Sequence, residues 1–73
     1  MRVLMKDRED ATLMVAEATD AYYEKKLEEL YLSSGNVGYT VSGIREIDAR
    51  RAIQELFETG AVDLSGYEAS VDA

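Results

Sequence analysis

The segment DREDATLMVAEATDAYYEKKLEELYL, residues 7–32, contains no glycine or proline and opens on a cluster of acids that suits a helix N-terminus. It stops at the break Ser33-Ser34-Gly35-Asn36. Its reading decides the fold, and it predicts one long helix. At 3.6-residue spacing Leu13, Ala16, Tyr23, Leu27 and Leu30 fall on one stripe, with Asp20 as the one polar interruption; this is the expected core face. A second stripe, Ala11, Met14, Val15, Ala18 and Tyr22, occupies another side and ends at Lys25, Lys26 and Glu29. One apolar face can pack on the rest of a small chain. The other must then meet a partner or remain as an exposed patch, so this second stripe is the expected protein interface.

Outward from that segment, Tyr39-Thr40-Val41, Ser42-Gly43 and Ile44-Arg45-Glu46-Ile47 read as a short β-hairpin around a glycine-containing turn, with Val41 opposite Ile44. Asp48 is a suitable N-cap for a second helix, in which Ala49, Ala52, Ile53, Leu56 and Phe57 repeat at helical spacing before Gly60 stops it. The expected fold is therefore α+β: a long N-terminal helix, a short hairpin, a second helix packed antiparallel on the first, and an extended tail. Residues 1–60 would form the single domain. Residues 61–73 would be an arm or a flexible tail, in which Leu64 and Tyr67 are further candidates for an interface.

Composition narrows the function. A 73-residue chain buries only roughly 60 % of the surface its unfolded form exposes, so the core must be thin. With neither cysteine nor histidine, disulfides, zinc fingers and nucleophiles that need a histidine partner are excluded, and association between subunits is the stabiliser left over. The serines at 33, 34, 42, 65 and 70 lie in no nucleophile motif. The glycines at 35, 38 and 43 match no phosphate-binding loop. No enzymatic activity and no cofactor or metal are expected. The net charge of −7 argues against binding a phosphate backbone, and the one basic cluster, Arg45, Arg50 and Arg51, reads as a solvated face. The longest apolar run, from Leu13 to Ala16, is far short of a membrane span, which predicts a cytoplasmic protein.

The order of long helix, Tyr39-Thr40-Val41-Ser42-Gly43 hairpin and Asp48-capped helix resembles the small head–tail joining proteins of tailed phages, the lambda gpW-like group. The resemblance covers about residues 7–60, and its most recognisable piece is Gly38-Tyr39-Thr40-Val41-Ser42-Gly43. In similar members the helix cap follows the hairpin sooner than Asp48 does here, and the lambda-like proteins end in a basic segment where this chain is acidic from Asp63 to Asp72. The resemblance implies a helix–hairpin–helix connector in the virion neck, assembled in the host cytoplasm. Its copies would form a homo-oligomeric ring beneath the portal and receive the tail proteins. A competing expectation is a small acidic inhibitor or DNA mimic, whose carboxylates at 10, 17, 24 and 28 would fill a basic groove on a target protein. A third is a regulatory or antitoxin-like dimer.

Overall fold

In the computed structural model, which describes residues 1–72, six strands and one helix follow one another. They are β1 (Arg2–Asp7), β2 (Leu13–Glu17), β3 (Asp20–Glu24), β4 (Glu29–Ser34), β5 (Val37–Ser42), α1 (Glu46–Thr59) and β6 (Ala61–Asp72). The expected long N-terminal helix is absent. Residues 7–32 instead supply the end of β1, all of β2 and β3, and the start of β4.

The reason lies in the period of burial. Along β2 and just beyond it, Met14, Ala16 and Ala18 turn inward while Leu13, Val15 and Glu17 are exposed, a repeat of two. The acids that looked like a helix start build a turn: Asp7 accepts the N–H of Glu9 and Asp10 accepts the N–H and the hydroxyl of Thr12. The carboxyl of Asp10 is held below its ordinary value by those bonds from Thr12. Ala11 and Glu28 take the left-handed conformation, at φ 60° and 51°, so two of the turns carry no glycine at the position that usually reveals one.

The sheet order is β2-β1-β6-β5-β4-β3. β1 and β6 run parallel and every other neighbouring pair is antiparallel. The segment expected to be a tail is thus the central strand. It bends in the middle: residues up to Leu64 pair with β1 in step, and the register then jumps so that Lys6 faces Glu68 and Asp7 faces Ala69. The surplus residues Ser65, Gly66 and Tyr67 form a bulge, which turns β6 toward β5, with which it pairs from Ala69 onward. A second corner lies between β2 and β3, where Ala18 donates its N–H to Met1 and Thr19 donates its own to Ser33. Consecutive residues thereby extend the β2–β1 and β3–β4 ladders at the two opposite ends of the strand order, and the sheet curls into a partly closed roll.

The single helix occupies the segment read as the second of two and packs on this sheet, with no helix beside it. Its N-cap is Arg45, which makes no side-chain capping bond; Asp48 sits inside the first turn, where with Glu46 it suits the positive end of the helix dipole. Gly60, at φ 80°, ends the helix with its N–H on the carbonyl of Leu56. Tyr39, Thr40 and Val41 are strand residues in β5, but their antiparallel neighbours are β4 and β6. Ile44 leaves the sheet altogether: Gly43 takes φ 67°, and Ile44 is buried beneath the helix entrance, where its carbonyl accepts the hydroxyl of Tyr23 at 2.7 Å. The helix–hairpin–helix order that carried the phage resemblance is not found among the described residues.

The inner face of the roll collects Val3, Met5, Ala16, Leu30, Leu32, Val41, Val62, Leu64 and Ala69, and α1 covers it with Ala49, Ala52 and Leu56. Among the described residues no polar or charged side chain is buried. The alanines of α1 let the helix lie close to the first half of β6, whose side away from β1 has no strand partner, so the helix protects that edge.

Candidate functional site

Because β-strand side chains alternate, burying Val3 and Met5 turns Arg2, Leu4 and Lys6 to the outer face of the sheet. On β2 the outward set is Leu13, Val15 and Glu17. The register sets Leu4 beside Val15, Lys6 beside Leu13 and Arg2 beside Glu17. Leu13 and Val15 are 64 % and 61 % exposed, high for apolar side chains in a sheet. Arg2 lies 3.7 Å from Glu17, an exposed pair that contributes little to stability but neutralises one corner of the patch.

From Val15 a shallow, open groove of about 340 Å³ crosses Leu4 to Ala61, Val62 and Asp63, with Arg2 and Glu55 at its margins. The Ser65 hydroxyl first and the Ser65 N–H, which donates to Asp63 at 2.9 Å, second keep the carboxyl of Asp63 below the usual range. The groove is apolar along its floor and charged at its rim, an arrangement suited to a side chain of another protein.

β2 is also an edge. Among the described residues it pairs with β1 alone, and no proline blunts its free side.

The residues proposed from sequence are scattered. Val15 is on this patch. Tyr22 is exposed too, but on β3 in the other half of the roll, where its ring lies parallel to that of Tyr31 at 6.2 Å. Met14 is half-buried on the inner face, Ala18 and Leu64 are buried in the core, and Ala11 sits in the left-handed turn between β1 and β2. Tyr67 is half-buried at the β6 bulge, where burial first and the carboxylate of Asp48 second push its phenol up. Sequence reasoning missed Arg2, Leu4, Lys6 and Leu13. The signal that could have found them is alternation: Arg2-Val3-Leu4-Met5-Lys6 and the run from Leu13 to Ala18 both fit a period of two.

The carboxylates at 10, 17, 24 and 28, expected on one helical face, lie in a turn, on β2, at the end of β3 and in a second turn. Arg50 and Arg51 approach Glu46 and Asp48 at 3.3 and 4.0 Å. No cluster of acids among the described residues could hold a metal, and no helix there is long and apolar enough to cross a membrane.

The outer face of the other half carries one perturbed group. The Tyr31 hydroxyl donates to Glu29, and that bond, then burial, then the charges of Glu29 and Glu24 push the phenol up to about 12. An unfolded tyrosine ionises near pH ~10. The folded-state value is the higher one, so the stabilisation from this phenol is complete below the unfolded value and lost as pH rises through the folded value, a window of about 10 to 12. Glu29→Ala removes the main cause, the acceptor of that bond, together with its charge. Tyrosine-selective NMR titration is expected to show the Tyr31 transition moving down toward the ordinary value in that variant, and identical curves would refute the assignment.

A scan against protein-family models, a search of curated proteins and a search of solved structures find no match to this chain.

Proposed function

We propose that this chain is a protein-binding module whose working surface is the outer face of β1 and β2 with the free edge of β2. The observation that carries the reading is the exposure of Leu13 and of Val15, which stands beside Leu4, on a strand that among the described residues has no strand neighbour on its other side. Apolar side chains set outward on a free edge leave surface in water that association would bury, and they offer backbone groups that a second strand can pair with.

The reading is coarser than a place in a phage neck. A ring-forming connector drew its support from two helices and a hairpin, and an acidic inhibitor from one charged stripe; neither arrangement is present.

A photo-reactive residue tests the proposal in cells. Placed at Val15 it is expected to capture neighbouring protein chains on irradiation. Placed at Thr40, on the outer side of β5, it is expected to capture few. Equal labelling at the two positions would defeat the reading.

A further inference from the structure

We infer that the occupant of the β2 edge is a second copy of this chain, joined through β2 in antiparallel pairing about a two-fold axis at Val15; the inference rests on the protein-binding reading above. The phase of the hydrogen bonds supports it first. Asp7 donates its N–H to Thr12 at 2.8 Å and Ala18 donates its own to Met1 at 2.6 Å, extending the β1–β2 ladder at both ends. Antiparallel ladders alternate, so residues 12, 14, 16 and 18 bond toward β1, and Leu13, Val15 and Glu17 direct their N–H and C=O groups to the free side. With Val15 on the axis, Val15 meets Val15 of the second copy and Leu13 meets its Glu17. All three outward residues of each edge then find backbone partners.

Side chains and charges agree with that register. On the outer face Leu4, Val15, and Val15 and Leu4 of the second copy form one apolar row across the junction, with each Leu13 diagonal to the opposing Val15. Glu17, already beside Arg2 of its own chain, is reached across Leu13 by Lys6 of the second copy. Each Glu17 at the junction thus has the N-terminal ammonium and Arg2 of its own chain and Lys6 of the second copy around it, so the chain's net charge of −7 does not concentrate there. Asp10 and Asp20 lie past the ends of the paired stretch, where the β1–β2 turn and the β2–β3 corner take the chain off the edge. A two-fold contact of this kind is closed and self-complementary.

Sedimentation velocity over a concentration series tests it, with two variants. Val15→Pro deletes an N–H that makes no bond within the chain, and proline is tolerated on sheet edges. The wild-type protein is expected to reach twice the mass of one chain, and Val15→Pro to remain at the mass of one chain with its circular dichroism unchanged. Val15→Cys gives the chain its one thiol. Directly opposed residues of a hydrogen-bonded antiparallel pair have Cα atoms about 5.5 Å apart, within disulfide reach. Under mild oxidation it is expected to cross-link roughly tenfold faster, or more, than Lys26→Cys in the exposed β3–β4 turn. A wild-type protein that stays at single-chain mass, or equal cross-linking of the two cysteine variants, would overturn the inference. If residue 15 still captures other proteins in cells, only the second copy falls; if it captures none, the protein-binding reading falls with it.

Discussion

Leu30→Ala is expected to lower stability by about 2–5 kcal/mol, whereas Leu27→Ala, three residues earlier, changes it by no more than about 0.5 kcal/mol. Leu30 is 1 % exposed and Leu27 is 62 % exposed. Leu30 stands in β4 between Tyr23 of β3 and Val41 of β5, with its side chain in the core, while Leu27 lies in the turn that joins β3 to β4. Truncating a buried leucine costs about 2–5 kcal/mol, because the cavity left behind adds to the lost transfer energy. A chain of this length has a total stability of about 4–11 kcal/mol. Urea unfolding followed by circular dichroism measures both variants. The contrast is decisive for the architecture, since a helix through residues 7–32 would put both leucines on one core stripe and make the two losses comparable.

A second contrast lies within α1. Ala49 is fully buried against the sheet, and Ile47, two residues before it, is 64 % exposed. Ala49→Asp places a carboxylate in a core that holds no buried polar partner, at a cost of several kcal/mol; the expected result is a protein without a cooperative unfolding transition. Ile47→Asp adds an acid to the first helical turn, where the dipole favours it by about 0.3–1 kcal/mol, and stability should hold or rise slightly. Hydropathy alone would rank the two changes in the opposite order. A thermal melt of each variant checks the pair, and loss of the Ile47→Asp transition would show that the helix is seated differently.

The same residues show how much of this fold was legible in the sequence. Tyr39, Thr40 and Val41 are β-branched or aromatic and lie in a strand, and Gly60 stands at the helix stop, because those signals are local. Residues 7–32 were misread because alanine, glutamate, lysine and leucine favour helices in isolation, whereas their conformation here is set by pairing with strands distant in sequence. The turns that divide the segment rest on Asp7 and Asp10 side chains and on left-handed Ala11 and Glu28, none of which is a glycine or proline. The tail was misread for a related reason: Ser65 and Gly66 look like a break, and they are one, but inside a strand that continues on another partner. Of the candidate site, Val15 was legible as an exposed apolar residue. Its true neighbours Leu4 and Leu13 depend on the β1–β2 register, which helical periodicity conceals.

The central place of β6 also bears on the order in which this protein can be made. During synthesis β1 and β2 emerge early as a hairpin and β3, β4 and β5 follow as a meander, yet the strand that joins them is translated last of the six. Until Ala61–Asp72 has left the ribosome, β1 and β5 each keep an unpaired side, and Val3, Met5 and Val41 lack the cover that Val62, Leu64 and Ala69 provide. Two-stranded and small sheets of that kind are marginal alone. The nascent chain is therefore committed to folding late and all at once, and while it waits it is the kind of client that chaperones hold.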